Sequence, residues 1–294
     1  MPTLLDFIGN TPLIELNNIN PKPDRVKLYG KLEGNNPGGS VKDRAAYNMI
    51  RQALERGDIT QKTKLIEATS GNTGIALAMI ARLYGIDIEL VMPENSTQER
   101  VDTMKAYGAK VTLTSKEIGM EGARDYAEEM VQKNGFVMLN QFANPDNYKA
   151  HYKTTGPEIW KDTQGEITHF VSAMGTTGTI MGVSRYLKEQ NESIQIVGAQ
   201  PTEGSRIPGI RRWPEAYLPK IFEKERVDQV VDVSEKDARD MTHRLAAKEA
   251  VFSGMSSGGS AYTATKVIEQ IEHGVVVCII CDRGDRYLSS DLFR

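Results

Sequence analysis

Lys42 stands in the stretch Gly34-Asn35-Asn36-Pro37-Gly38-Gly39-Ser40-Val41-Lys42-Asp43-Arg44. Two glycine-rich loops come after it, Ser70-Gly71-Asn72-Thr73-Gly74 and Gly175-Thr176-Thr177-Gly178-Thr179. Each follows an apolar run and opens a helix-like segment, where successive main-chain N–H groups bind anions. A lysine amine condenses with carbonyls and can later serve as a base. Together these pieces suit an aldehyde cofactor that carries a phosphate. The amine takes the aldehyde, one loop grips the phosphate, and the other holds a substrate carboxylate. Neither loop has the G-x-G-x-x-G or the G-x-x-x-x-G-K-[ST] pattern. Taken singly, each also reads as a tight strand-to-helix turn that needs glycine, and Lys42 as an exposed lysine beside Asp43 and Arg44.

Those residues need elements to hold them. Ser40 reads as an N-cap and 45–55 as helical, so Lys42 falls in a first helical turn. The positive helix end and partial burial there both disfavour an ammonium. Strand-like segments at 64–68, 86–92, 110–114, 136–141, 168–173, 195–200 and 275–281 alternate with helix-like segments at 75–84, 96–108, 121–134, 180–189, 234–250 and 260–271. Ser96-Thr97-Gln98-Glu99 has capping-box spacing, and Gly135 is a helix stop. The alternation predicts an α/β fold of two open, mostly parallel twisted sheets with helices on both faces.

The polar, helix-like stretch 144–162 separates two βα series and sets a domain boundary near residue 145. A smaller N-terminal α/β domain over 36–145 would carry the carboxylate loop. A larger one, from 1–35 and 146–294, would carry the phosphate loop. Open α/β sheets bind ligands beyond the carboxyl ends of their strands. The active site is therefore expected in the cleft between domains, with Ser256-Ser257-Gly258-Gly259 as a third loop facing it. Residues 204–222, with Pro208, Pro214 and Pro219, read as a long surface loop.

Bulk properties exclude several classes. Among 294 residues, 36 basic against 39 acidic side chains give a net charge of −3, with no excess suited to nucleic acid. No apolar run nears the roughly 20 residues that cross a bilayer. Met1-Pro2-Thr3-Leu4-Leu5-Asp6 lacks a signal-peptide pattern, so a cytoplasmic location is expected. His151, His169, His243 and His273 lie far apart without carboxylates at ligand spacing. They read as structural or surface residues, and no metal site is expected. Cys278 and Cys281 form a C-x-x-C inside a β-rich run, which sets them on opposite faces rather than at a helix start, where a redox pair belongs. Both read as buried apolar residues; the sharper alternative has Cys281 reaching a site at the strand's C-terminal end.

The stretch Asn36 to Arg44, Thr69-Ser70-Gly71-Asn72-Thr73-Gly74, the Gly175 to Thr179 loop and Ser256-Ser257-Gly258-Gly259 resemble the cysteine synthase family. That family belongs to the tryptophan-synthase-β class (fold type II) of pyridoxal-phosphate enzymes. The resemblance runs from Ile8-Gly9-Asn10-Thr11-Pro12-Leu13 to Asp282-Arg283-Gly284-Asp285-Arg286-Tyr287-Leu288, nearly the whole chain. Gly119-Met120-Glu121-Gly122-Ala123-Arg124, Ile207-Pro208-Gly209-Ile210-Arg211-Arg212-Trp213 and Cys281-Asp282-Arg283-Gly284-Asp285 resemble its B branch. The resemblance implies pyridoxal 5'-phosphate as cofactor and Lys42 as its Schiff-base lysine. Gly175, Thr176, Thr177, Gly178 and Thr179 would hold the phosphate, Asn72 the ring hydroxyl and Ser256 the pyridine nitrogen. Thr69, Ser70, Gly71, Thr73 and Gln141 would bind the substrate carboxylate. A hydroxyl at 256 does not force the pyridine nitrogen to stay protonated, so the ring is a weaker electron sink and β-elimination is favoured over transamination. A homodimer is also implied, while association with serine acetyltransferase is left open. The chain ends at Arg294, short of a C-terminal extension expected of the family.

The reaction so implied is β-replacement. O-acetyl-L-serine loses acetate, a sulfur nucleophile adds at Cβ, and Lys42 moves the α-proton both ways. Two half-reactions give ping-pong kinetics. The B branch is associated with thiosulfate, which gives S-sulfocysteine, as well as with sulfide, which gives L-cysteine. Arg211 and Arg212 suit a dianionic donor. They also read as a solvated surface pair, or as a pair that selects O-phosphoserine. Cys281, facing the cleft, would leave a small donor pocket. Cystathionine β-synthase and serine or threonine dehydratases share parts of the motif set. A non-catalytic α/β protein that binds a phosphate ligand is the alternative of another class.

Overall fold

The computed structural model describes all 294 residues. Strands β1 (Leu13–Glu15) and β2 (Val26–Leu32) precede helix α1 (Lys42–Arg56). A βα series follows: β3 (Lys64–Ala68), α2 (Asn72–Tyr84), β4 (Asp87–Pro93), α3 (Gln98–Ala106), β5 (Lys110–Thr114) and α4 (Gly119–Asn134). Helices α5 (Pro145–Lys153) and α6 (Thr155–Asp162) lead into β6 (His169–Ala173), α7 (Gly178–Gln190), β7 (Gln195–Pro201) and β8 (Gln229–Val233). The chain closes with α8 (Glu235–Glu249), α9 (Met255–Gln270) and β9 (Gly274–Ile280).

Two open sheets result. The smaller is β3-β4-β5, all parallel. The larger has the order β1-β2-β9-β6-β7-β8 and is parallel except for β1. Parallel strands covered on both faces are apolar at every position, and β9 shows why. Its Val276, Cys278 and Ile280 pack with Met241 and Leu245 of α8 and Ala264 and Ile268 of α9. The alternate residues Val277 and Ile279, with Cys281 just beyond, pack with Ile180, Met181 and Leu187 of α7. The two cysteines therefore lie in different layers and are free thiols. In the smaller sheet Leu65 and Leu90 meet Ile50 of α1 and Leu77 of α2, whereas Ile66 and Val91 meet Ala123 and Ala127 of α4. Each fully buried Val, Leu, Ile or Met among these contributes about 1.5–3 kcal/mol.

Some expectations give way to tertiary structure. Residues 136–141 form no strand; only Val137 bridges, to Leu65. Glu67 draws that backbone out of the ladder, accepting the Asn140 N–H at 3.2 Å with Asn140 at φ +53°. The Ser96–Glu99 capping box does not form. Thr97 is the N-cap without a side-chain bond, and the Ser96 hydroxyl donates to the Pro93 carbonyl at 2.7 Å. Ser256, Ser257, Gly258 and Gly259 are not a loop but the first turn of α9. Residues 204–222 form the expected long surface loop, mostly exposed, which Ile207, Ile210 and Ile221 anchor by turning inward.

Helices α5 and α7 pack closely at Gly182. A Cβ there would strike the Tyr148 carbonyl and come within 2.7 Å of the His151 Cβ. Backbone cannot yield as a flexible side chain does. Gly182→Ala is expected to lower unfolding free energy in urea by about 2–3 kcal/mol. A loss below about 0.5 kcal/mol, the level of ordinary surface changes, would contradict so close an approach.

Candidate active site

The candidate residues collect at carboxyl ends of parallel strands. The Thr69–Gly71 turn leaves β3, Gly175–Thr177 leave β6 after Met174, and Cys281 follows β9. Lys42 comes from the start of α1. Val41 is the N-cap there, although the Ser40 hydroxyl still accepts the Lys42 N–H at 3.2 Å. Ser40 forms an antiparallel bridge with Asp282, and the Val41 N–H donates to the Cys281 carbonyl at 2.9 Å. The end of β9 thus holds the peptide that presents Lys42. Burial pushes the Lys42 ammonium down from the usual lysine range, and it outweighs Cys281, Asp282, Glu33 and Asp43, which pull the other way.

The loop before α7 carries a local signature of function. Thr177, its N-cap, sits at φ +69°, a left-handed conformation that β-branched residues avoid. Its hydroxyl oxygen is buried without a hydrogen-bond partner. Asn147 of α5 backs the loop, donating to the Thr176 hydroxyl at 3.1 Å and to the Gln141 carbonyl at 2.7 Å. A Cβ at Gly178 would strike Asn147 Oδ1. His151, one helical turn on, has Nε2 at 3.3 Å from the Thr179 hydroxyl and Nδ1 at 2.9 Å from that of Thr155. Consecutive N–H groups at a helix start, with an orphaned hydroxyl among them, fit a phosphate monoester.

Residues 207–213 close over this loop. A Cβ at Gly175 would meet the Gly209 carbonyl at 2.6 Å, and one at Gly209 would lie 3.2 Å from Ser256 Cβ. Trp213 Nε1 donates to the Gly175 carbonyl at 2.8 Å. Gly209 thereby brings the phosphate loop and Ser256 together. The two arginines part here. Arg211 is exposed and lies over the Trp213 ring at 5.4 Å, and the ring of Trp213 meets Phe142 edge-on. Arg212 pairs with Asp232 at 2.5 Å and donates Nε to the Pro201 carbonyl at 2.8 Å, which commits it to the β7–β8 edge.

On the other side, the Thr73 hydroxyl donates to Gln141 Oε1 at 2.8 Å, joining two carboxylate-loop candidates. Thr69 and Ser70 lead into Gly71, where a Cβ would meet nothing within 4 Å. The Asn72 amide donates to Asp282 Oδ2 at 2.7 Å and accepts from Arg286 Nη1 at 2.5 Å. Burial, then the Asp282 charge, pushes the Cys281 thiol up to about 12, against Lys42 and a Ser256 hydrogen bond. Cys281 is therefore a protonated thiol beside Lys42 and Ser256. No group of three or more His, Cys, Asp or Glu side chains could hold a metal. The sequence reading gave no role to Asn147, His151, Asp282 or Arg286. A polar pair at i and i+4 on one helix, Asn147 and His151, was the available signal for a buried polar face.

This fold and site define a class. Residues 4–282 match the family model for pyridoxal-phosphate dependent enzymes, and the chain belongs to that family. It is 59% identical over 292 residues to the cysteine synthase B of Pseudomonas aeruginosa, covering 99% of this chain and 97% of that protein. It is 57% identical to the cysteine synthase B of Escherichia coli, covering 100% and 96%. Among solved structures, the cysteine synthase of Entamoeba histolytica superposes with a TM-score of 0.94 at 37% identity, covering 100% of this chain and 90% of that one. An O-ureido-L-serine synthase gives 0.93 at 35% identity, covering 100% and 95%.

His151 supplies a pH test of the wall behind the phosphate loop. Burial first, and then the Arg44 charge, pulls its pKa from 6.5 to about 3, so the folded protein keeps it neutral. Stability linked to this group is present above pH 6.5 and is lost as the pH falls toward 3. Relative to His151→Gln, the wild type should lose about 2 kcal/mol between pH 6.5 and 5. Urea unfolding followed by tryptophan fluorescence measures the difference; parallel curves would show that His151 ionises in place.

Proposed function

We propose that this chain catalyses pyridoxal-phosphate-dependent β-replacement on O-acetyl-L-serine, forming L-cysteine with sulfide or S-sulfocysteine with thiosulfate. The observation that carries the reading is the pairing of a half-buried, pKa-depressed Lys42 with a phosphate nest that contains the orphaned Thr177 hydroxyl. The strong likeness to two cysteine synthase B proteins supports the substrate assignment. The same reading includes a homodimer in the cytoplasm; no helix is long and apolar enough to cross a membrane.

When bound, pyridoxal phosphate supplies an aldehyde that condenses with amines and a ring that delocalises charge developing at Cα. The chain's own residues do the rest. Main-chain donors of Gly175, Thr176, Gly178 and Thr179, with the Thr177 hydroxyl, bind the phosphate. Ser256 takes the ring nitrogen and Asn72 the ring hydroxyl. Thr69, Ser70, Gly71, Thr73 and Gln141 orient the substrate carboxylate. Lys42, whose neutral form burial favours, takes the α-proton and later returns it. Cys281, held as a neutral thiol, shapes the donor pocket without competing as a nucleophile.

Donor choice rests on Arg211, because Arg212 is engaged with Asp232. Arg211 has no carboxylate partner and lies against Trp213, at the edge of the segment that covers Ser256. That free guanidinium favours a second reading, in which it recognises the phosphate of O-phosphoserine.

Lys42→Ala should abolish turnover, and borohydride should fix the cofactor's mass on Lys42 in the wild type alone. Arg211→Ala should lower kcat/KM for thiosulfate about tenfold or more, the size of one charge-assisted hydrogen bond, while leaving sulfide within about twofold. Equal losses with both donors would remove Arg211 from donor selection. A loss confined to O-phosphoserine would select the second reading.

A further inference from the structure

The segment after β9 contains two buried, oppositely charged residues, and both reach Asn72. Asp282 is 1% exposed and Arg286 is 9% exposed. Asn72 Nδ2 donates to Asp282 Oδ2 at 2.7 Å, and Arg286 Nη1 donates to Asn72 Oδ1 at 2.5 Å. This clamp allows one amide orientation only. A flipped amide would set its carbonyl against a carboxylate and its NH2 against a guanidinium, like against like on both sides. With one Nδ2 hydrogen spent on Asp282, a single N–H of fixed direction remains.

The two charges are themselves held. Asp282 Oδ2 also accepts the Tyr287 hydroxyl at 2.5 Å, and burial keeps that phenol protonated well beyond the usual tyrosine range. Asp282 Oδ1 accepts the N–H of Gly254 at 3.2 Å, and Gly254 is the N-cap of the helix that carries Ser256. A Cβ at Gly254 would come within 2.7 Å of Asp282 Oδ1. Arg286 Nη2 donates to the Gly38 carbonyl, in the turn that leads to Lys42. One unit, two buried charges bridged by the Asn72 amide, therefore touches the supports of the three residues assigned to the cofactor's aldehyde, ring oxygen and ring nitrogen.

We infer that Asp282 and Arg286 are positioning residues that fix the Asn72 amide as a hydrogen-bond donor to the cofactor's ring oxygen. The inference rests on the proposed reading in which Asn72 meets that oxygen. A donor aimed at the ring oxygen stabilises its deprotonated form, so the clamp sets where the proton lies in the resting enzyme. The consequence is spectroscopic: the balance between the long-wavelength and near-ultraviolet bands of the bound cofactor reports that proton.

The test measures this band ratio at saturating pyridoxal phosphate in the wild type, Asn72→Ala, Asp282→Asn and Asn72→Ala/Asp282→Asn. The ratio should fall about fivefold in each single variant, the size of one hydrogen bond. The double variant should match Asn72→Ala alone, because Asp282 acts through Asn72. Arg286→Lys keeps the charge but loses the fork, so it should shift the ratio the same way, and it replaces Asp282→Asn should that protein not fold. A wild-type ratio in Asp282→Asn or Arg286→Lys, with Asn72→Ala shifted, overturns the inference and spares the contact of Asn72 with the cofactor. Additive shifts in the double variant also overturn it. An unmoved ratio in Asn72→Ala removes the cofactor contact itself, and the inference with it.

Discussion

Arg44 is the constraint on which the rest depends. It lies two residues beyond Lys42, is 2% exposed, and can exist there as a cation only with every direction satisfied. Glu33 takes Nε and Nη2, each at 2.7 Å, while Glu158 takes Nη1 at 2.6 Å and Nη2 at 2.8 Å. Lys31, fully buried, pairs with the same Glu158 and with Asp162, each at 3.0 Å. The network joins the end of β2, the first turn of α1 and the length of α6. Removing one partner from such a set costs about 3–5 kcal/mol, far more than any adjustment of α1 would recover. The rotation of α1 is thereby fixed, and with it the direction in which Lys42 leaves the helix.

A second constraint acts from the opposite side. The chain after β9 bridges Ser40 through Asp282 and Ser253 through Arg283, and the Cys281 N–H donates to the Ser257 hydroxyl at 2.9 Å. Three separate parts of the sequence, near residues 40, 72 and 256, are thus indexed to one short segment of backbone. The site is rigid on this face because its supports are main-chain pairs and buried charges. In the phosphate loop Thr177 holds a left-handed conformation that β-branched residues avoid, and an unpartnered hydroxyl. A bound phosphate offers what that position otherwise lacks.

Burial also decides the protonation states. Desolvation disfavours the Lys42 ammonium, the Cys281 thiolate and the His151 cation alike, so one cause pushes all three groups toward their neutral forms. Only Lys42 is assigned proton chemistry. His151 backs Thr179 as a neutral ring, and Cys281 fills space beside Ser256.

Much of this was legible in the sequence, because the signals were local. Glycine and threonine runs after apolar segments marked strand-to-helix turns, and every-position apolar runs marked doubly covered strands, as in 275–281. Such features depend on backbone geometry within a few residues. The failures share a cause in long-range pairing. Residues 136–141 had strand composition, yet Glu67 took the Asn140 amide out of the ladder. Arg211 and Arg212 were indistinguishable as neighbours until Asp232 on β8 claimed one of them. Asn147 and the clamp of Asp282 and Arg286 on Asn72 bring together residues 29 to 214 positions apart, which no local pattern encodes. The sequence alone determined which chemistry the chain carries, since residue type sets what an amine, a hydroxyl or an N–H nest can do. The tertiary structure decided which of those groups meet and in what charge state, because only folding sets distance and removes water.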